Sequence, residues 1–404
     1  VRGYHGYWPT HDSQVEPHFG TSADLERLVA VAHSFGIRVV AEYVLDHVHV
    51  NAALYEQHPD WFNADPMGPN GCLCEDQGMK CSWDTTCWFL DYLPTFDFDS
   101  VDARKHVIGQ AVGLAESLQL DGYAIDSSQY VSPAWANDLD RRVESETTST
   151  PNDFLLLAAG IEPDSEPDAA EGVDARADWS FREVVVGTML LRSTDLATLD
   201  AALHDAEQDA TNGLRPANVL GTLYHPRPIH FAQDPPVVGD PADRGIGLPP
   251  ELAPVEEQAA YERLANGLTV LLTAPGMPVL YYGDEFGMPG TGDPDNRHFM
   301  TFEDHTPAQR WLRDRTRALI RVRNDHPALR RGTFEVLHVG TETIVYEAKV
   351  EGDTVVVAIN RSDDARDALG FPDGAWVDLL SGDILSGGPP ALPARSAVVA
   401  IPSD

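Results

Sequence analysis

Apolar residues recur at helical spacing from Leu25 to Ser34. Gly36 breaks the pattern, and "IRVVAEYVL" follows as a buried strand. The unit then repeats. A helix over Ala103–Leu118 precedes a short strand at Tyr123–Ile125, and "FLLLAAGI" (Phe154–Ile161) is a third apolar run. Strand-like "NVLG" (Asn218–Gly221), a helix over Ala259–Leu272 and a strand in "PVLYYG" (Pro278–Gly283) continue the series. Helices alternating with wholly apolar strands predict a parallel sheet covered on both faces, in a (β/α) barrel or a doubly wound fold.

Two stretches depart from this rhythm. His47–Ser100 is too long for a strand-to-helix loop and rich in Pro, Gly, Trp and Cys, so it reads as an inserted subdomain. After Arg330 the period becomes two, in "FEVLHV", "TIVYEAKV", "TVVVAIN" and "AVVAIP", which predicts an antiparallel β-sandwich. Pro163–Asp178 and Pro235–Pro254 are acidic, Pro-rich and expected to be mobile.

The chain of 404 residues suffices for one large domain and a smaller one, and it holds no run of eighteen apolar residues that could span a membrane. Val1 falls in mid-pattern without a signal segment, so a truncated N-terminus is expected. A net charge of −36 with only Lys80, Lys105 and Lys349 as lysines argues against nucleic acid and anionic membranes as partners. That charge suits a solvated surface or a salty habitat, with an acidic partner surface as the alternative. Cys72, Cys74, Cys81 and Cys87 lie in one loop and open with C-x-C, unlike the C-x2-C of common zinc sites. Two disulfides are the preferred reading over a metal knuckle, with the pairing open, and they imply an extracellular or periplasmic protein.

The Tyr123–Ile125 strand ends on Asp126, at the end of a parallel strand where barrel enzymes keep catalytic groups. Around it, "GYHGYWPTHDSQVEPHFGT" (Gly3–Thr21), "GIRVVAEYVLDHVHVN" (Gly36–Asn51) and "YYGDEFGMPGTGDPDNRHFM" (Tyr281–Met300) resemble, in order, the α-amylase family, glycoside hydrolase family 13. The resemblance implies a (β/α)8 TIM barrel with a loop subdomain and a C-terminal antiparallel β-sandwich. Its first motif follows the second barrel strand of the family, so the barrel is expected to lack its first two strands. The implied division is a truncated barrel over 1–330, with the subdomain at 47–100, and a sandwich over 331–404.

The family cleaves α-glucosidic bonds with retention, using one carboxylate as nucleophile and a second carboxyl as acid/base, about 5–5.5 Å apart. By resemblance Asp126 stands at the nucleophile position. Ala124 replaces the Arg that orients the nucleophile, Ala159 replaces the acid/base Glu, and Leu223 and Tyr224 replace the His-Asp pair that carries the transition-state acid. His47 survives, Glu42 replaces an Asp and His11 another. Asp46 replaces an Asn that is often a calcium ligand, and its oxygens keep the chemistry calcium needs. Tyr7, Trp8 and Trp88 (with Trp61 and Trp83) could offer aromatic faces to sugar rings, or simply pack the subdomain.

The preferred reading is an inactive relative that binds α-glucan or maltooligosaccharide, since alanine cannot donate a proton. One alternative is an active retaining α-glucosidase or α-amylase using Asp126 with Glu162 as a relocated acid. The other is a non-catalytic scaffold or partner protein.

Overall fold

A computed structural model describes residues 5–11, 14–69, 71–73, 85–126, 128, 131–146, 154–160, 172–211, 215–237 and 254–403. Cys74, Cys81, Trp83 and Glu162 lie outside the described residues, as do most of the two Pro-rich segments. The chain forms two units, Val1–Ala177 and Asp178–Asp404.

In the first unit, Thr21 and Asp24 satisfy one another's backbone N–H groups in a capping box and start α1 (Ser22–Ser34). β1 (Val40–Val44), α2 (Ala53–Gln57), α3 (Val101–Leu118), β2 (Gly122–Asp126), α4 (Pro133–Glu146), β3 (Leu155–Ala159) and β4 (Ala175–Asp178) follow. Ser100 caps α3, and Gln119 ends it in the left-handed conformation, turning the chain directly into β2. Strands β1 to β4 pair in parallel and in chain order.

The two faces of this sheet differ. Tyr123, Ile125 and Leu156 share a buried core with Val107, Ile108 and Ala111 of α3 and Trp135 and Leu139 of α4. Full burial of each large apolar side chain is worth about 1.5–3 kcal/mol. The opposite face carries Glu42 beside Ala124, and Val44, Asp126 and Ala159 in one row. Glu42 is exposed there, and Ala124 and Ala159 are half-buried.

The second unit opens with α5 (Trp179–Val185) and α6 (Leu196–Thr211), then β5 (Arg215–Val219), α7 (Pro228–Phe231), α8 (Gln258–Thr273) and β6 (Met277–Val279). β5 and β6 are a parallel pair. Helices α9 (Pro307–Asp325) and α10 (Ala328–Arg331) lead to β7 (Thr333–Val339), β8 (Thr343–Val350), β9 (Asp353–Asn360), β10 (Arg366–Asp367), β11 (Trp376–Asp378), β12 (Ile384–Leu385), β13 (Ala391–Leu392) and β14 (Ser396–Pro402). These form a six-stranded antiparallel sheet, ordered β12-β11-β14-β9-β8-β7, and a short β10-β13 pair. Ile344, Tyr346, Val357 and Val399 join α8 and α9 in one core, and the Tyr346 hydroxyl meets the Thr273 hydroxyl at 2.6 Å.

The architecture is the α/β one expected: parallel strands alternating with helices, followed by a C-terminal antiparallel β-sandwich. Three boundaries move. β1 starts at Val40, not Ile37. The expected mobile segment up to Asp178 ends in β4, whose "ARAD" has no apolar run to betray it. β6 stops at Val279, because Tyr281 and Tyr282 turn their rings onto the Arg227 guanidinium, 4.1 and 4.5 Å away, and Gly283 (φ +89°) swings the chain aside.

Candidate functional site

In the first unit, the segment carrying Tyr7 and Trp8 is tied to the loop after β1. The His47 imidazole Nε2 donates to the Tyr7 carbonyl at 2.9 Å, the His49 N–H donates to the Pro9 carbonyl at 2.9 Å, and the Tyr7 hydroxyl donates to Glu42 at 2.8 Å. Trp8 sits edge-on to Tyr92 at 4.8 Å and stacks with His49 at 6.2 Å. Both tryptophan and tyrosine stay half-buried, with the His5 ring stacked on Tyr7 at 5.4 Å and edge-on to Trp8 at 4.9 Å. His47 is buried and parallel to Phe89 at 5.8 Å.

His47 Nδ1 lies 2.9 Å from an oxygen of Asp46, off the line of a good hydrogen bond. One ring nitrogen thus faces a carbonyl and the other a carboxylate, so the imidazole gains by carrying both protons. Burial opposes that charge, but Asp46, the Tyr7 carbonyl and the nearby Asp126 outweigh it and hold the imidazole above its ordinary pKa. Asp46 is itself buried, and among the described residues no group of three His, Cys, Asp or Glu side chains gathers to hold a metal. The Asp46 charge is met by His47.

Asp126 ends β2, buried, with Val44 and Ala159 as its partners in register on β1 and β3. Ala124, one step back on the same face, stands beside Glu42. The only side chain standing across from Asp126 on β3 is thus a methyl group.

Within the inserted loops, Cys72 and Cys87 form a disulfide. Trp88 is 3% exposed; its ring nitrogen donates to the Asn63 carbonyl at 2.9 Å and its ring meets Tyr55 edge-on at 5.7 Å. It is buried within the subdomain, whereas Trp8 stays half-buried. Trp61 stacks on His58 at 3.9 Å.

In the second unit, Leu223 and Tyr224 follow β5 in a loop that Asn296 pins. The Asn296 side-chain amide donates to the carbonyls of Thr222, Leu223 and His225 at 3.4, 2.9 and 2.8 Å. Beside this loop, Arg227 and Asp284 form a fully buried pair at 3.1 Å. Arg227 also donates to the Asn296 carbonyl at 2.9 Å and to the Tyr282 carbonyl. Gly221 makes room for the pair, since a Cβ there would lie 1.7 Å from an Asp284 oxygen. Burial pushes Asp284 up to about 7 against the pull of Arg227. Burial, helped by the charge of Arg182, pushes His225 down to about 4. The Tyr224 N–H donates to the Thr222 hydroxyl at 3.2 Å, and its ring lies 6.1 Å from that of Trp179. Arg227 and Asp284 were not singled out from sequence, because only the fold brings positions 57 residues apart together.

Comparison with known proteins fits this layout. The model of the α-amylase catalytic domain matches residues 2–159. The cyclomaltodextrin glucanotransferase of Geobacillus stearothermophilus is 25% identical over 399 residues, covering 94% of this chain and 52% of that protein. A counterpart from Niallia circulans is 23% identical over 401 residues, covering 95% and 52%. The chain thus spans about half the length of the relatives it matches. Among solved structures, the α-amylase of Geobacillus thermoleovorans complexed with acarbose superposes with a TM-score of 0.78 at 25% identity, covering 98% of this chain and 84% of the other. An Anoxybacillus α-amylase superposes at 0.81 with 24% identity, covering 100% and 84%.

Proposed function

The chain belongs to the α-amylase family, glycoside hydrolase family 13, and from that premise we propose that it binds α-glucan or maltooligosaccharide without hydrolysing it. The observation that carries this reading is the row Val44–Asp126–Ala159. Retaining hydrolysis needs a proton donor facing the nucleophile, and losing one general acid costs typically about 10²–10⁴ in rate. Ala159 holds no titratable proton, and Ala124 brings no guanidinium to orient Asp126. What supports binding is the aromatic surface of the first unit. Trp8 and Tyr7 offer apolar ring area with a polar rim, and the exposed Glu42 carboxylate beside the Tyr7 hydroxyl can accept hydrogen bonds from sugar hydroxyls.

The disulfide Cys72–Cys87 supports an exported protein, extracellular or periplasmic. Among the described residues no helix is long and apolar enough to cross a membrane.

Calorimetry with maltoheptaose, run beside an assay for released reducing sugar, tests the reading. Binding without turnover is the expected result. Turnover abolished by Asp126→Asn would overturn it in favour of a retaining hydrolase with a relocated acid. Neither binding nor turnover would point to a scaffold.

A further inference from the structure

The second unit encloses a cavity of about 760 Å³ between the start of β5, the start of β6, the end of α6 and the α10–β7 junction. Its volume lies in the range of small-molecule sites, about 300–1,000 Å³. It opens at the N-terminal ends of the strands, with Arg215 the first residue of β5 and Met277 the first of β6. Tyr224 and Asp284 follow the C-terminal ends of the same strands, so this cavity is separate from the residues discussed above.

Its chemistry is opposite to that of the molecule. In a chain of net charge −36, four arginines (Arg215, Arg323, Arg330 and Arg331) are among the residues lining one cavity, against a single acidic residue, Glu207. Glu207 is already engaged, accepting the Phe334 N–H at 2.9 Å. Arg323 is buried and spends its donors on the carbonyls of Leu272, Ala274 and Gly276. The side chains of Arg215, Arg330 and Arg331 are exposed and make no ion pair or hydrogen bond among the described residues. Burial first, and then the charge of Arg330, lowers the Arg323 pKa to about 10, so the charges of Arg323 and Arg330 repel one another. A protein with many surplus carboxylates has gathered three arginines, unpaired among the described residues, around a hollow with apolar walls.

We propose that this cavity binds a small phosphate monoester, its dianionic head taken by Arg215, Arg330 and Arg331 and its body laid against Met277, Leu329 and Phe334. The planar fork of guanidinium matches phosphate oxygens two at a time, and a dianion relieves the local excess of positive charge. The ligand enters at the strand ends opposite Tyr224 and Asp284 and does not occupy the sugar surface.

Calorimetry on the intact chain with phenyl phosphate, inorganic phosphate and malonate tests the assignment. Phenyl phosphate is expected to bind, more tightly than inorganic phosphate because of the apolar wall, and malonate weakly. Arg330→Gln/Arg331→Gln and Arg215→Gln, all at exposed positions, are each expected to weaken phenyl phosphate at least about tenfold while leaving the melting temperature without ligand unchanged. Absence of heat at millimolar phenyl phosphate, malonate binding as tightly as phosphate, or variants that bind like the wild type would each overturn the proposal.

Discussion

Asp126 and Ala159 are partners in register on adjacent parallel strands, so a carboxylate and a methyl group face the same side of the sheet one strand apart. Strands lie about 4.8 Å apart, close to the separation of about 5–5.5 Å that retaining glycosidases keep between their two carboxyl groups. Ala159→Glu is therefore expected to raise reducing-sugar release from maltoheptaose by about 10² or more over the wild type, and Ala124→Arg in the same chain to raise it further. Rates of the single and double variants, each with and without Asp126→Asn, check this. No gain in either variant would mean that the surroundings of Asp126, and not only its missing partner, have lost the chemistry.

The pair His47–Asp46 yields a pH prediction. The folded-state pKa of His47 lies above the ordinary value of about 6.5, so its contribution to stability is complete below that value and is lost as pH rises through the raised one. Asp46→Asn removes the strongest force holding the imidazolium. It is expected to lower the His47 pKa, read by NMR of the ring protons, and to cost about 3–5 kcal/mol in mild acid, where a charged ring is left buried alone. The cost shrinks above the wild-type His47 pKa. A cost independent of pH would assign the effect to packing.

The strands around these residues were legible because each is an apolar run between turn signals, and β2 and β3 fall where "YAI" and "LLLAA" predicted them. β4 was not, since two of its four residues are charged and only pairing with β3 makes it a strand. Asp126, Ala124 and Ala159 could be found from motif order alone. The covering of Trp88 could not, because a tryptophan in a loop reads the same whether its faces meet solvent or Tyr55 and Asn63. Arg227–Asp284 and the arginine-lined cavity are joined only by the fold.

The disulfide Cys72–Cys87 closes a loop with a sequence separation of 15. Closing a loop of that length removes about 3 kcal/mol of conformational freedom from the unfolded chain. The double variant Cys72→Ser/Cys87→Ser is expected to lose about that much stability in chemical denaturation, and reductant to destabilise the wild type but not the variant. Equal response of both to reductant would place the effect elsewhere in the chain.

Arg227 and Asp284 give the prediction whose sign is least expected for a salt bridge. Burial holds Asp284 at about 7, well above an unfolded carboxyl near 3.8. A raised acid binds its proton more tightly when folded, so stability is greatest in acid and falls as pH rises from about 4 to about 7. Asp284→Asn keeps the neutral shape beside Arg227, Gly221 still admits it, and the variant cannot ionise. It is expected to match the wild type near pH 3.5, where Asp284 is protonated in both the folded and the unfolded chain, and to gain on it near pH 8, because ionising the buried carboxyl costs more than Arg227 returns. Urea denaturation at the two pH values measures this. A variant that instead loses ground near pH 8 would show that Arg227 keeps the carboxylate ionised and that the pair, not the proton, holds the loop of Tyr224 in place.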